Sequence, residues 1–159
     1  MPSPQHQYAL TVEWTGNRGE GTATYRSYDR DHEVRGEHLA TIAGSSDAVF
    51  RGNPSRWNPE QLLLAAASQC HMLSYLHQAA SNGIVVTGYI DHPTAIMTED
   101  GDGGGRFTKI TLHPLVTITD EDQVDLAGQL HEPANKACFI AGSLNLPVDH
   151  EPRTVVKAP

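Results

Sequence analysis

The 159-residue chain is short of several things: it has two cysteines, 11 Lys+Arg against 19 Asp+Glu, and no apolar run near the roughly 18 residues that span a bilayer. Two cysteines make no disulfide scaffold, and a chain of this length buries a core without staples. A formal charge of −8 with no block of Lys/Arg predicts no nucleic-acid partner and no membrane surface, because both present negative charge. Residues 1–7 lack the basic start and apolar stretch of a secretory signal, so the expectation is a soluble, cytoplasmic protein. In that compartment two thiols stay reduced unless they form a working redox pair. On counts alone, the simplest reading of Cys70 and Cys138 is small apolar packing residues.

What is present reads as strands, a long helix, more strands and a second helix. Tyr8, Leu10, Val12 and Trp14 alternate with Ala9, Thr11 and Glu13, the period-2 pattern of a half-buried strand. The Thr/Tyr-rich residues 22–28 suit a return strand and residues 34–42 a third, giving an antiparallel meander over about residues 8–42. A loop through residues 44–57 leads to the strongest signal, a helix predicted over about residues 59–82. Asn58 is its N-cap, Pro59 its first residue, Gln61 the capping-box partner and Asn82-Gly83 its stop. Its Leu-Leu-Leu-Ala-Ala-Ala stretch is apolar nearly all round, which predicts a central, buried helix.

Strands follow over about residues 84–119, broken by an acidic, Gly-rich hairpin loop at 98–105. Ile110, Leu112, Val116 and Ile118 share one parity and predict one buried face. Val124, Ala127, Leu130, Ala134 and Cys138 then recur at helical spacing, predicting a helix over about residues 120–141 that Pro133 kinks or restarts. A closing strand is predicted over about residues 144–156. The pattern is one α+β domain over residues 1–159.

Few residues suggest chemistry when taken singly. Arg18 lies in a glycine-rich turn, and Glu60 lies in a first helical turn, where the macrodipole favours any acid. The nine histidines show no H-x-x-x-H or H-x-E pattern, so no metal site is expected. His71 points about 100° away from Cys70 around the helix, which makes no evident Cys/His pair. Phe50, Trp57 and Phe139 suit either core packing or the wall of an apolar pocket.

The ordered set says more. Arg18 in Asn-Arg-Gly-Glu-Gly-Thr, Asn58-Pro59-Glu60-Gln61-Leu62 opening a helix, Cys70 ten positions after Glu60, and a late Cys138 together resemble the family of OsmC (osmotically induced protein C) and Ohr (organic hydroperoxide resistance protein). The resemblance extends to the element order from about Tyr8 to Val148. It implies an intertwined homodimer in which antiparallel sheets wrap two central helices, and a thiol peroxidase acting on organic hydroperoxides. By position, Cys70 would be the attacking thiol, Cys138 the resolving thiol, and Arg18 with Glu60 the pair that activates and orients Cys70. The implied reductant is an external dithiol, such as a lipoyl group, with no bound cofactor. A non-catalytic protein of the same fold binding an apolar or lipid-like ligand, or a thiol redox sensor, are the alternatives. His71 after Cys70 and Phe139 after Cys138 depart from the residues common there in the family.

Physical chemistry agrees with those roles. A free thiol with a pKa near 8.5 is mostly protonated at neutral pH, and a permanently charged guanidinium nearby raises the reactive thiolate fraction. Attack on an O–O bond leaves a sulfenic acid, which a second thiol condenses to a disulfide before irreversible oxidation. Ten residues of straight helix separate Glu60 from Cys70 by about 15 Å. The two therefore serve one site only if the helix is broken or if Glu60 acts on a neighbouring chain's Cys70.

Overall fold

The computed structural model describes residues 1–158 and forms two compact units, Met1–Leu62 and Leu63–Pro159. The first unit is a three-stranded antiparallel sheet of β1 (Thr11–Trp14), β2 (His32–Arg35) and β3 (Ile42–Gly44) in the order β1-β2-β3. Val12 faces Val34 and Trp14 faces His32 across the first pair. The meander is therefore real, but its strands are shorter and placed differently than the composition suggests. Residues 22–28 are turns, with no ladder pairing beyond the isolated Asn17–Tyr28 bridge. Serine and carbonyl groups there bond to each other: Ser27 Oγ donates to Thr24 O at 2.9 Å and to Gly21 O at 3.0 Å. Local side-chain bonds of this kind compete with a strand ladder.

The half-buried strand expected at residues 8–14 is exposed on both faces. All of β1 is exposed, with Val12 at 61%, because the unit supplies no second layer to cover it.

Helix α1 (Pro59–Ser81) starts at the end of the first unit and continues into the second as one unbroken element. Its start is a reciprocal capping box: Gln61 N–H donates to Asn58 Oδ1 at 2.8 Å and Asn58 N–H to Gln61 Oε1 at 3.1 Å. A cap of this kind contributes about 1 kcal/mol. At the other end Gly83 takes a positive φ of 74° and Ile84 N–H reaches back to Ala79 O at 2.9 Å, closing the helix as the Asn-Gly pair predicts. The expectation of burial all round is corrected: only the i+4 stripe Ala67, His71, Tyr75 and Ala79 is buried, and Leu73 is exposed.

The second unit continues with β4 (Val86–Ile90), β5 (Thr94–Glu99), β6 (Gly105–Leu112) and β7 (Leu115–Ile118). Three short helices follow, α2 (Val124–Gln129), α3 (His131–Ala137) and α4 (Phe139–Ser143), and then β8 (Val148–His150) and β9 (Arg153–Val156). The strands form two sheets, β4-β7-β9 and β5-β6-β8, in each of which the C-terminal strand adds in parallel. Ile110, Leu112, Val116 and Ile118 are all fully buried, as their shared parity predicts, although Pro114 divides them between the two sheets.

Where one kinked helix is expected at 120–141, a 3-10 turn and three helices stand instead. Pro133 falls in the first turn of α3, where its missing N–H leaves nothing unpaired. Ala127, Leu130, Ala134 and Cys138 keep their buried stripe across the breaks. Among the described residues no helix is long and apolar enough to cross a membrane.

Candidate functional site

The Arg18 turn is built by its neighbours. Asn17 Oδ1 accepts from Gly19 N at 2.9 Å and Gly21 N at 3.0 Å, and both glycines take positive φ. Gly16 lies so close to Asp29 that an added Cβ would sit 1.9 Å from its carbonyl oxygen, so the turn admits only glycine there. The half-exposed Arg18 guanidinium pairs with Asp29 at 3.7 Å and donates to the Arg26 carbonyl. Glu60, also in the first unit, is not among its partners. The structure therefore does not join Arg18 and Glu60. The unbroken α1 also removes one of the two ways in which Glu60 and Cys70 of one chain would share a site.

The first unit holds a second ordered guanidinium that the sequence pattern does not mark. Arg30 lies 4.2 Å over the Tyr25 ring and 4.0 Å over the Tyr28 ring, and donates to both of their carbonyls. With Trp14, Tyr28 and Pro59 it lines a cavity of about 370 Å3. Phe50 and Trp57, considered as pocket walls, do not line it and are exposed, and Phe139 is 79% exposed in the second unit. The Tyr-x-x-Tyr-x-Arg spacing of Tyr25, Tyr28 and Arg30 is the signal that would have found this clamp.

In the second unit the structure brings the two cysteines together. Both are free; Cys70, on α1, is half-buried, and Cys138 is buried. Cys138 is not a helical residue. Its extended backbone, φ −75° and ψ 110°, forms the junction between α3 and α4, and its Sγ accepts from Ala141 N at 3.3 Å. Burial first, and then its hydrogen bond to Cys70, push the Cys138 thiol up from 9.0 to about 11, against the pull of the Ala141 N–H. Cys138 is thus a protonated thiol at neutral pH, held against a more accessible one.

The buried stripe of α1 carries a group that sequence reasoning passed over. Three of the nine scattered histidines gather beside the cysteines: His71 from α1, His131 from α3 and His150 from β8. The His71 and His131 rings are fully buried and stacked, with His71 Nε2 3.0 Å from His131 Nδ1. Tyr75 stacks on His131 at 4.0 Å between centroids, and its hydroxyl donates to Ala127 O at 3.0 Å. Burial and then the neighbouring His150 pull His71 from 6.5 down to about 4, with Asp91 acting the other way. Burial, then His71 and His150, take His131 down to about 3. Both are neutral imidazoles. Among the described residues no three His, Cys, Asp or Glu side chains converge in an arrangement that could hold a metal ion.

Several solved structures share this architecture. An OsmC-like protein of unknown function from Vibrio cholerae superposes with a TM-score of 0.82 at 27% identity, covering 93% of this chain and 99% of that one. An organic hydroperoxide resistance protein from Elizabethkingia anophelis matches at TM-score 0.65 and 16% identity, over 98% of this chain and 100% of that one. A Vibrio cholerae protein described as a putative organic hydroperoxide resistance protein, with captopril in one of its active sites, matches at 0.63 and 20%, over 94% and 93%. At those lower identities the likeness concerns the fold. No curated protein matches the chain significantly. The family model described as OsmC-like protein matches residues 52–152, a span that runs from the loop before α1, through both cysteines and the three histidines, to the end of β8. The chain belongs to the OsmC family.

Proposed function

We propose that the chain is a cysteine-based peroxidase that reduces organic hydroperoxides to alcohols, with Cys70 attacking and Cys138 resolving. The observation that carries this reading is the pairing of a half-buried Cys70 with a buried Cys138 in one unit of an OsmC-family chain. Accessibility suits Cys70 to meet the peroxide, and burial suits Cys138 to wait as a thiol. The Cys70 thiolate attacks one peroxide oxygen, the O–O bond breaks, and the leaving alkoxide takes up a proton to give the alcohol and Cys70 sulfenic acid. The Cys138 thiol then attacks that sulfur. Its proton leaves with the departing hydroxide as water, and a Cys70–Cys138 disulfide remains. An external dithiol, of lipoyl type, restores both thiols and is itself oxidised to a disulfide.

Arg18 is the group assigned to raise the thiolate fraction of Cys70. Glu60, about 15 Å along an unbroken helix from its own Cys70, serves the Cys70 of a second copy, which makes the working form a homodimer. The uncovered apolar positions of β1 support that assembly.

Mass spectrometry after one equivalent of cumene hydroperoxide tests the reading. The expected product has lost two hydrogens, carries a Cys70–Cys138 crosslink, and is returned to the starting mass by dihydrolipoamide. Cys70→Ser abolishes both the crosslink and catalytic consumption of peroxide. Two thiols that remain unreacted in the wild-type chain overturn the reading, and a single oxidation without dithiol-driven turnover turns it into a redox sensor.

A further inference from the structure

Contacts across the buried face of α1 follow each other in a fixed order. Tyr75 meets Ala127 of α2, His71 and Tyr75 meet His131 of α3, and Cys70 meets Cys138 at the end of α3. Residue numbers fall on one side as they rise on the other, so the segment α2–α3 runs antiparallel to α1 and the three contacts are successive rungs. His131 and Cys138 are seven residues apart, two turns on one face of a helix. The thiol pair is the last rung, placed at the break before α4 where helical hydrogen bonding no longer fixes Cys138.

We propose that the His71–His131 hydrogen bond is the strut that sets the register of α3 on α1, and so holds Cys138 where it can pair with Cys70. Both histidines are positioning residues, acting through the cysteine backbone rather than on the sulfur. A buried polar pair is suited to this because it tolerates no slippage. Apolar side chains that slide by a few ångströms find new contacts, whereas a buried ring nitrogen that loses its partner remains unpaired. The proton count shows how little slack exists. Each neutral imidazole carries one N–H, so the bond uses one N–H and one lone pair. The outer nitrogens, His71 Nδ1 and His131 Nε2, lack partners, as does the neighbouring His150 Nδ1, so among the described residues the His71–His131 bond is the one hydrogen bond that fixes either ring. Disulfide closure is demanding enough to need such a device, since the two Cα atoms must come within about 7 Å with their Cβ vectors facing.

The inference rests on Cys70 and Cys138 being a working pair, but its test does not require a peroxide. The wild-type chain and variants are equilibrated with reduced and oxidised glutathione, and the Cys70–Cys138 disulfide is quantified by mass after acid quenching. His131→Leu is expected to lower the equilibrium constant for the disulfide at least tenfold. His131→Asn, whose amide reaches the position of Nδ1, is expected to restore it to within about threefold. A wild-type constant in His131→Leu, or equal losses in the Leu and Asn variants, overturns the proposal. Should His131→Leu fail to fold, the His71→Leu/His131→Leu pair removes the bond without stranding a nitrogen. That double variant, verified by circular dichroism, is expected to show the same tenfold loss, and a wild-type constant overturns the proposal equally. A wild-type chain that pairs its cysteines under glutathione yet ignores cumene hydroperoxide removes the peroxidase reading alone.

Discussion

The two units treat their apolar side chains in opposite ways. Every buried apolar residue belongs to the second unit, from Ala67 to Val148, whereas Tyr8, Leu10, Val12, Leu39, Val49 and Trp57 in the first are exposed. The first unit is held by polar devices instead: the Arg30 clamp, the Asn17 turn, and the Arg56–Asp31 pair at 3.2 Å. Alternation in a strand therefore states what a face requires, and leaves open whether the same chain supplies the cover. The sharpest break of this contrast is a core truncation. Leu112→Ala, in the fully buried cluster with Ile110 and Val148, is expected to cost about 3–5 kcal/mol, read from urea unfolding. A cost below about 1 kcal/mol would mean that the second unit does not carry the stability.

An effect smaller for each residue separates the units by pH. His71 and His131 are neutral in the folded second unit, lowered by burial to about 4 and about 3, while an unfolded histidine titrates near 6.5. Below 6.5 the unfolded chain takes up protons that the folded one refuses, so the histidines' contribution is intact above 6.5 and is lost as pH falls through the folded values. Burial is the largest cause for both, so the two losses add, and between pH 7 and pH 4 each imidazole accounts for up to about 3 kcal/mol. Urea midpoints across that range should fall in the wild-type chain and flatten in His71→Gln/His131→Asn. An equally steep acid limb in the double variant would place the sensitivity elsewhere.

Much of the second unit, and of the helix start that leads into it, was legible in the sequence because the signals are local or periodic. The Asn58–Gln61 box, the Asn82-Gly83 stop, and the parity of Ile110 to Ile118 each depend on residues near one another in the chain, and each stands as read. The cysteine pair was visible only through its ordered spacing from Arg18 and Glu60, since nothing local sets Cys70 beside Cys138. The histidine cluster was not visible at all. His71, His131 and His150 are separated by 60 residues in one gap alone, and they meet only because α2–α3 runs antiparallel along α1 and β8 brings His150 against both rings. Residues 22–28 misled for the converse reason: β-prone composition was outweighed by serine and carbonyl groups that satisfy the backbone locally.

The smallest expected effect on stability is the most informative about the first unit. Val12 is 61% exposed on β1, an edge strand that pairs with β2. Removing its apolar surface should barely matter to the chain by itself, so Val12→Ser is expected to change unfolding by no more than about 0.5 kcal/mol at a protein concentration where the chain is monomeric. If the stripe of Tyr8, Leu10, Val12 and Trp14 is covered by a second copy, the same substitution buries a hydroxyl where a methyl pair belongs, at a cost of about 1–2 kcal/mol for each copy. Two symmetric copies double that cost, so the dimer dissociation constant measured by sedimentation should rise by at least about thirtyfold. An unchanged dissociation constant, or a monomer with full peroxidase turnover, would show that these exposed residues are not an interface. The unlike behaviour of the two units would then need a cause other than assembly.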